Sequence, residues 1–161
     1  MDMENFDALS PTMKYDIAKV QGDILQLAAD RGYDMEEFIE NYMTSDFCNN
    51  EMDSDCSFFH FKQAEVCLPY ILDEKKCNMC KDELELDYRF IGMTYRFLVY
   101  YTGKKSKDIY KLIPPEELDE LSFAYETYEI KDAAKEIADT ILPKKQQRNN
   151  QYEWYVFGQP L

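Results

Sequence analysis

The sequence contains few of the residues that interrupt regular structure. Among its 161 residues are only five glycines and six prolines, against thirteen tyrosines and ten phenylalanines. Because turn-forming residues are so scarce, the composition argues against low-complexity or disordered character. It predicts long regular elements, joined by few turns, around a core rich in aromatic side chains.

Positive charge is also scarce. Lysine and arginine together number 18 and aspartate and glutamate number 32, which gives a formal net charge of −14. Nucleic-acid affinity comes largely from basic side chains that displace counterions, so binding to DNA or RNA is disfavoured, as is docking to anionic lipid. A basic protein partner is compatible with this charge, and the alternative is that the acidity only keeps the protein soluble.

Long apolar runs are missing as well. No stretch approaches the roughly 20 apolar residues that cross a bilayer, and the acidic start MDMENFDALSP lacks the basic and then apolar pattern of a secretory signal. We therefore expect a cytoplasmic protein without a membrane segment. Its five cysteines are an odd number, which favours buried thiols over disulfides in a reducing compartment.

The densest apolar and aromatic run extends from Leu84 to Tyr101 and predicts a central helix. Leu84, Tyr88, Ile91 and Tyr95 recur at spacings of four, three and four, which is the helical rather than the strand period. A helix this apolar around most of its circumference must be surrounded by other elements.

The remaining helices are predicted from their start and stop residues. Ser10-Pro11 begins a helix over 13–31 that Gly32 ends, and Asp34 with Glu37 has the capping-box spacing for a second helix that ends near Met52. A short helix is predicted over 62–72, with a kink or an end at Pro69. Another follows Gly103, with Ser106 as its cap, and the next begins at Pro115. The last helix is predicted over 130–142, and Pro143 closes it.

The predicted fold class is mostly all-α, with six or seven helices in one compact bundle around residues 84–101. We expect one domain over 1–161, with 143–161 as an appended tail. Within that tail, Tyr152–Phe157 is a short aromatic run that fits a strand, a docking segment or a helix end.

An unusual stripe on the central helix contains Arg89, Gly92 and Arg96. Spacings of three and four place them on one side, so that two guanidinium groups flank a position without a side chain. That gap would suit a carboxylate or phosphate, or the close approach of another backbone. The alternative is that both arginines pair with carboxylates of the same chain.

The cysteines and the one histidine are the only candidates for a metal site. Cys77 and Cys80 have the CxxC spacing, and Cys67 and His60 precede them, so a tetrahedral zinc site is conceivable. Because no second paired motif accompanies the first, we favour a connector with free thiols, and we expect no cofactor. His60 lies in the apolar run Phe58–Phe61, which favours a satisfied, partly buried histidine over a catalytic base.

The pattern IGMTYRFLVYYTGKKSKDIYKLI followed by EEL and FAYETYEIKDAAKEI, within Ile91–Ile137, resembles a family of small uncharacterised bacterial proteins, mainly from Firmicutes. Residues Arg31–Asp53 resemble the amino-terminal half of the same family. Such proteins often occur beside toxin-like genes, some similar to ADP-ribosyltransferases. The resemblance implies an antitoxin or immunity component, and it carries no catalytic residues over to this sequence.

The sequence therefore predicts a non-catalytic protein–protein interaction module that regulates a co-encoded, toxin-like partner, with homo-oligomerisation also compatible. The residues proposed for binding are Arg89, Tyr95, Arg96, Tyr100 and Trp154. The competing hypothesis is a helical domain that binds zinc or a small ligand.

Overall fold

A computed structural model describes residues 8–80 and 85–147 as a bundle of helices. The seven α-helices of these ranges are α1 Pro11–Asp30, α2 Met35–Met43, α3 Ala64–Glu74, α4 Tyr88–Thr102, α5 Ser106–Leu112, α6 Pro115–Ala124 and α7 Ile130–Glu136. The all-α bundle predicted from the sequence is confirmed. Within the described ranges, the only β-structure is an isolated antiparallel bridge between Tyr33 and Met79.

The first helix begins and ends at the residues that the sequence predicts. The Ser10 side chain accepts a hydrogen bond from the Met13 amide at 3.1 Å, and Pro11 occupies the first turn, where its missing N–H costs nothing. Gly32 follows the helix with φ at 86°, a left-handed conformation that favours glycine. Local chemistry is therefore sufficient to set both ends of α1.

Helix α2 begins as predicted but ends earlier. Asp34 Oδ1 accepts from the Glu37 amide at 3.2 Å, as the capping-box spacing requires. The helix stops at Met43 rather than near Met52, and a separate π-helical turn, Cys48–Met52, follows. Ser45 explains the interruption, because its hydroxyl donates to the Tyr42 carbonyl and accepts from the Cys48 amide, in competition with the helix backbone.

The apolar run after Asp53 forms a short 3₁₀ helix, Phe58–Phe61, which leads into α3. Pro69 lies inside α3 and does not end it, so of the two predicted effects, a kink or an end, the end is wrong. Because proline has no N–H, the carbonyl of the residue four positions before it has no hydrogen-bond donor within the helix. Here that residue is the exposed Glu65, so water can satisfy its carbonyl.

Central helix α4 begins at Tyr88, later than the predicted start at residue 84, which lies outside the described residues. Asp87 sets the start, since its carboxylate accepts from the Phe90 amide at 3.0 Å. Gly103 ends the helix with φ at 72°, as predicted. Nearly every side chain from Tyr88 to Tyr100 is buried, so α4 is surrounded by other elements.

Two predictions for the carboxyl-terminal helices are wrong. Ser106 is the first residue of α5 rather than its cap, because its hydroxyl and amide are both bonded to Asp53 instead. Pro143 does not close the last helix, which continues after α7 through a π-helical turn, Ile137–Ile141, and on over 142–147. The wider turn lies directly before the proline, where an ordinary α-helical bond to its nitrogen cannot form.

Helix α1 packs along α4, and α5, α6 and α7 also contact α4, whereas α3 packs against α1. None of the helices in the two described ranges is both long enough and apolar enough to cross a membrane. Of the tail predicted over 143–161, residues 143–147 are helical, while 148–161, with the aromatic run 152–157, lie outside the described residues. The single domain over 1–161 and its tail stay a prediction.

Candidate functional site

The side chain of Arg96 lies completely buried at the centre of the bundle, where it forms an ion pair with Asp53. Its Nη1 atom donates to Asp53 Oδ1 at 2.7 Å and to the Met52 carbonyl at 3.0 Å. The Arg96 side chain is 0% exposed and that of Asp53 is 5% exposed. Burial is the largest single effect on Arg96 and lowers its pKa, but the Asp53 carboxylate and the other acidic groups around it together outweigh burial and raise the pKa above its usual value.

Polar side chains from three other elements complete the shell around this ion pair. Nε and Nη2 of Arg96 both donate to Gln21 Oε1, at 3.1 and 2.7 Å, and Nη2 also donates to Ser106 Oγ at 3.3 Å. Tyr42 donates to the same Gln21 oxygen at 2.6 Å. All three guanidinium nitrogens are thus engaged within the protein, and the cluster joins α1, α2, α4 and α5.

Cys48 lies against the same cluster, with its sulfur 3.5 Å from Arg96 Nη2. Burial raises the pKa of its thiol to about 12, and the charge of Asp53 adds to the shift. Burial likewise raises the pKa of Tyr42 well above its usual value. These groups therefore stay neutral at ordinary pH, and the arrangement stabilises the fold rather than presenting a nucleophile.

All three residues of the predicted arginine stripe make contacts within the protein. Arg89, which is exposed, pairs with Asp23 of α1 at 3.2 Å, and Arg96 pairs with Asp53, so both guanidinium groups pair with carboxylates of the same chain. Gly92 faces the backbone of α1 and accepts a hydrogen bond at its carbonyl from Gln21 Nε2 at 2.8 Å. The gap between the arginines therefore receives another helix.

The two tyrosines that the sequence singled out are buried with Arg96. Tyr95 donates to the Ile113 carbonyl at 2.7 Å and so satisfies a backbone acceptor at the end of α5. The ring of Tyr100 lies 5.8 Å from the guanidinium carbon of Arg96. Direct contact of Tyr95, Arg96 or Tyr100 with a partner protein would require the bundle to open, while Trp154 lies outside the described residues.

The histidine and cysteine candidates do not come together as a metal site. His60 is buried with its Nε2 atom 2.9 Å from the Glu51 carbonyl, and Cys67 is buried with its sulfur 3.9 Å from the Phe59 carbonyl. Cys77 and Cys80 flank the bridge to Tyr33. No group of three His, Cys, Asp or Glu side chains in the described part of the chain is placed to hold a metal ion.

An exposed apolar surface on the 3₁₀ helix and α3 was missed by the sequence reasoning. We call it the aromatic face: Phe58, Phe61, Val66 and Tyr70, which are 66%, 56%, 39% and 55% exposed. The i, i+3 spacing of the phenylalanines on a 3₁₀ helix and the i, i+4 spacing of the other pair place each pair on one side of its helix. Those spacings were the signal in the sequence.

Ring contacts through Phe59 connect two residues of the aromatic face, Phe58 and Tyr70. Phe59, which is half-buried, lies 5.3 Å from Phe58 and 4.9 Å from Tyr70 between ring centroids, both edge to face. The ammonium group of Lys62 lies 4.4 Å from the centroid of the Phe58 ring. The surface therefore combines apolar contact area with a ring that already accepts a cation.

Comparison of the sequence with protein-family models, with curated proteins and with solved structures finds no match. The resemblance of Ile91–Ile137 to the Firmicutes proteins stays a prediction.

Proposed function

We propose that the protein is a non-catalytic interaction module that binds a protein partner with a basic surface. The observation that carries the proposal is the aromatic face, where four large apolar side chains are each more than a third exposed on two consecutive helices. Clustered exposed apolar side chains mark interaction sites, and aromatic side chains are enriched in them.

Charge supports a basic partner. The net charge of −14 attracts a positively charged protein and speeds its encounter. The contact between Lys62 and the Phe58 ring is an internal example of the cation–π interaction that lysine or arginine of a partner would make. We place this binding in the cytoplasm, because an odd number of cysteines, five, favours thiols over disulfides, as is usual in a reducing compartment.

We further propose that the partner is encoded beside this protein and that binding neutralises or regulates it. The support is the resemblance described above, which implies an antitoxin or immunity component. In this proposal Tyr95, Arg96 and Tyr100 act through the stability of the bundle, since all three are buried, whereas Arg89 is exposed and contacts the partner directly.

Co-expression with the products of the flanking genes tests the proposal. We expect a tagged chain to retain one of them and to relieve its toxicity, and we expect Phe58→Ser/Phe61→Ser to lose the partner. The matched control is Phe123→Ser/Tyr128→Ser, which removes two exposed aromatic side chains elsewhere, 73% and 48% exposed. Light scattering on the purified chain would separate partner binding from self-association.

Retention of no partner together with unrelieved toxicity would contradict the proposed function. Equal loss in both double variants would show that the aromatic face is not the site. Circular dichroism on each variant ensures that the comparison is made between folded proteins.

A further inference from the structure

The two cysteines of the CxxC sequence lie on a short segment, 77–80, that runs antiparallel to the turn between α1 and α2. Backbone hydrogen bonds join the Asp34 amide to the Asn78 carbonyl at 2.8 Å and the Cys80 amide to the Gly32 carbonyl at 2.9 Å. These bonds lie on either side of the isolated antiparallel bridge and keep the backbone between them extended. We call the segment and its two backbone bonds the clasp.

Side-chain hydrogen bonds add to the clasp. Asn78 donates to both carboxylate oxygens of Glu37, from its backbone amide at 3.4 Å and from Nδ2 at 3.1 Å. The Cys77 thiol donates to the Asp34 carbonyl at 3.5 Å. Glu37 and Asp34 are also joined by the capping bond at the start of α2. The clasp is therefore tied to the residues that begin α2.

The closed clasp holds the two cysteines apart. Extended backbone advances about 3.3 Å per residue, so the Cα atoms of residues three apart are separated by about 10 Å. A disulfide needs only about 4.4–6.8 Å between Cα atoms, and side chains three apart on a strand face opposite sides. Cys77 and Cys80 can therefore join only if the backbone between them turns, which breaks the backbone bonds of the clasp.

We propose that Cys77 and Cys80 form a reversible disulfide and that its formation opens the clasp. The oxidant is a small-molecule disulfide such as oxidised glutathione. One cysteine thiolate attacks a glutathione sulfur and releases the first glutathione thiolate. The other cysteine thiolate then attacks the protein sulfur of this mixed disulfide, forms the Cys77–Cys80 bond and releases the second glutathione thiolate. The two protons of the protein thiols end on the two glutathione molecules, which are thereby reduced.

The disulfide and the closed clasp exclude each other, so each weakens the other by the same factor. The clasp therefore makes this disulfide easier to reduce than that of an unconstrained CxxC sequence, which is the property of labile, regulatory disulfides rather than structural ones. Cytosolic disulfides are usually transient and redox-sensing, and this one agrees with reduced thiols as the resting state. The inference goes beyond the proposed function and does not depend on a protein partner.

Glutathione titration of the full chain tests the proposal. The chain is equilibrated at graded ratios of reduced to oxidised glutathione, alkylated with N-ethylmaleimide and digested with trypsin, which releases residues 77–81 as one peptide between Lys76 and Lys81. The peptide mass distinguishes two thiols, a mixed glutathione disulfide and the internal disulfide.

We expect the internal disulfide to form in the folded chain. Its equilibrium constant against glutathione should be about threefold to tenfold smaller than in concentrated urea, because folding closes the clasp. Equal constants in the folded and unfolded chain, or mixed disulfides alone in the folded chain, overturn the proposal.

A variant of the clasp links the disulfide to the structure. Glu37→Ala removes the side chain that accepts from Asn78, so the equilibrium constant of the folded chain should rise by about twofold or more. Glu40→Ala makes the same change at an exposed position of α2 and should leave the constant unchanged. Equal constants in the two variants would contradict a clasp that opposes the disulfide.

Hydrogen exchange shows whether the clasp opens. The Asp34 and Cys80 amides should exchange faster in the oxidised chain than in the reduced chain, while the amides of α4 stay protected. Cys77→Ser in the same oxidised buffer can form only a mixed disulfide at Cys80 and should exchange as the reduced chain does at Asp34. Unchanged exchange in the oxidised unaltered chain, or equal acceleration in Cys77→Ser, overturns the proposal.

Discussion

Gly22 of α1 and Gly92 of α4 lie against each other where the two helices meet. A Cβ atom added at Gly92 would be 2.8 Å from the Gly22 Cα atom and 2.9 Å from the Gln21 carbonyl oxygen. Both neighbours are backbone atoms, which move only if the helices separate. The absence of a side chain at Gly92 therefore sets the distance between α1 and α4.

Alanine at Gly92 should destabilise the protein. Overpacking costs about 1–3 kcal/mol, against a gain of about 1 kcal/mol in helix propensity, so urea denaturation should show a net loss of unfolding free energy. Gly22→Ala should cost less, because its closest neighbour is the flexible Met93 side chain at 2.8 Å, although the Arg89 carbonyl at 2.9 Å also resists. Lys19→Ala, at an exposed position of α1, serves as control, and a stabilised Gly92→Ala variant would contradict the packing argument.

Removal of one partner from the buried ion pair should be costly. Asp53→Asn leaves the Arg96 charge in the core without its counter-charge, which should lower the unfolding free energy by about 3–5 kcal/mol. Asp23→Asn removes the exposed pair with Arg89 and should cost no more than about 1 kcal/mol. Urea denaturation of both variants measures the difference, and similar losses would argue against a structural role for the Arg96 cluster.

The double variant Asp53→Asn/Arg96→Met separates the ion pair from its surroundings. Once the arginine is gone, the asparagine no longer leaves a buried charge unpaired, so the double variant should lose less stability than the sum of the single variants, by about 1–3 kcal/mol. Strict additivity would mean that the two side chains are not energetically coupled.

Stability should depend on the protonation of His60. Burial is the largest effect on this group and lowers the pKa of His60 below its usual 6.5. As pH falls below 6.5, the unfolded chain binds a proton that the folded chain does not, so this contribution to stability is present above 6.5 and is lost toward the lowered pKa. Urea midpoints of His60→Gln should fall less steeply through this window than those of the unaltered chain, and parallel curves would contradict the assignment.

Thiol labelling should distinguish the cysteines. Cys56 is exposed, whereas Cys48 and Cys67 are buried, and burial raises the pKa of their thiols to about 12 and about 11. Because thiolates are the reactive species, we expect iodoacetamide to modify Cys56 first and to reach Cys48 and Cys67 only after denaturation. Peptide mass spectrometry gives the order, and early labelling of Cys48 in the folded protein would contradict its burial.

Sequence reasoning predicted the helical bundle and several helix ends, because those depend on neighbouring residues. It failed at the end of α2, at Ser106 and at Pro143. At the end of α2 the Ser45 hydroxyl bonds to the backbone, and the Ser106 hydroxyl bonds to the Asp53 carboxylate instead of capping α5. At Pro143 a π-helical turn before the proline lets the helix continue. Its proposed binding residues on α4 were chosen for their chemistry, but three of them are buried.

What the sequence by itself determined are the local boundaries at Ser10, Gly32, Asp34 and Gly103, where caps and left-handed glycines act within a few residues. Only the tertiary structure decided that Arg96 pairs with Asp53, 43 residues away, and which aromatic side chains stay exposed. The physical reason is that burial and charge pairing depend on which helices meet. Helix packing brings together residues that are far apart in the sequence, and their spacing does not indicate that they are in contact.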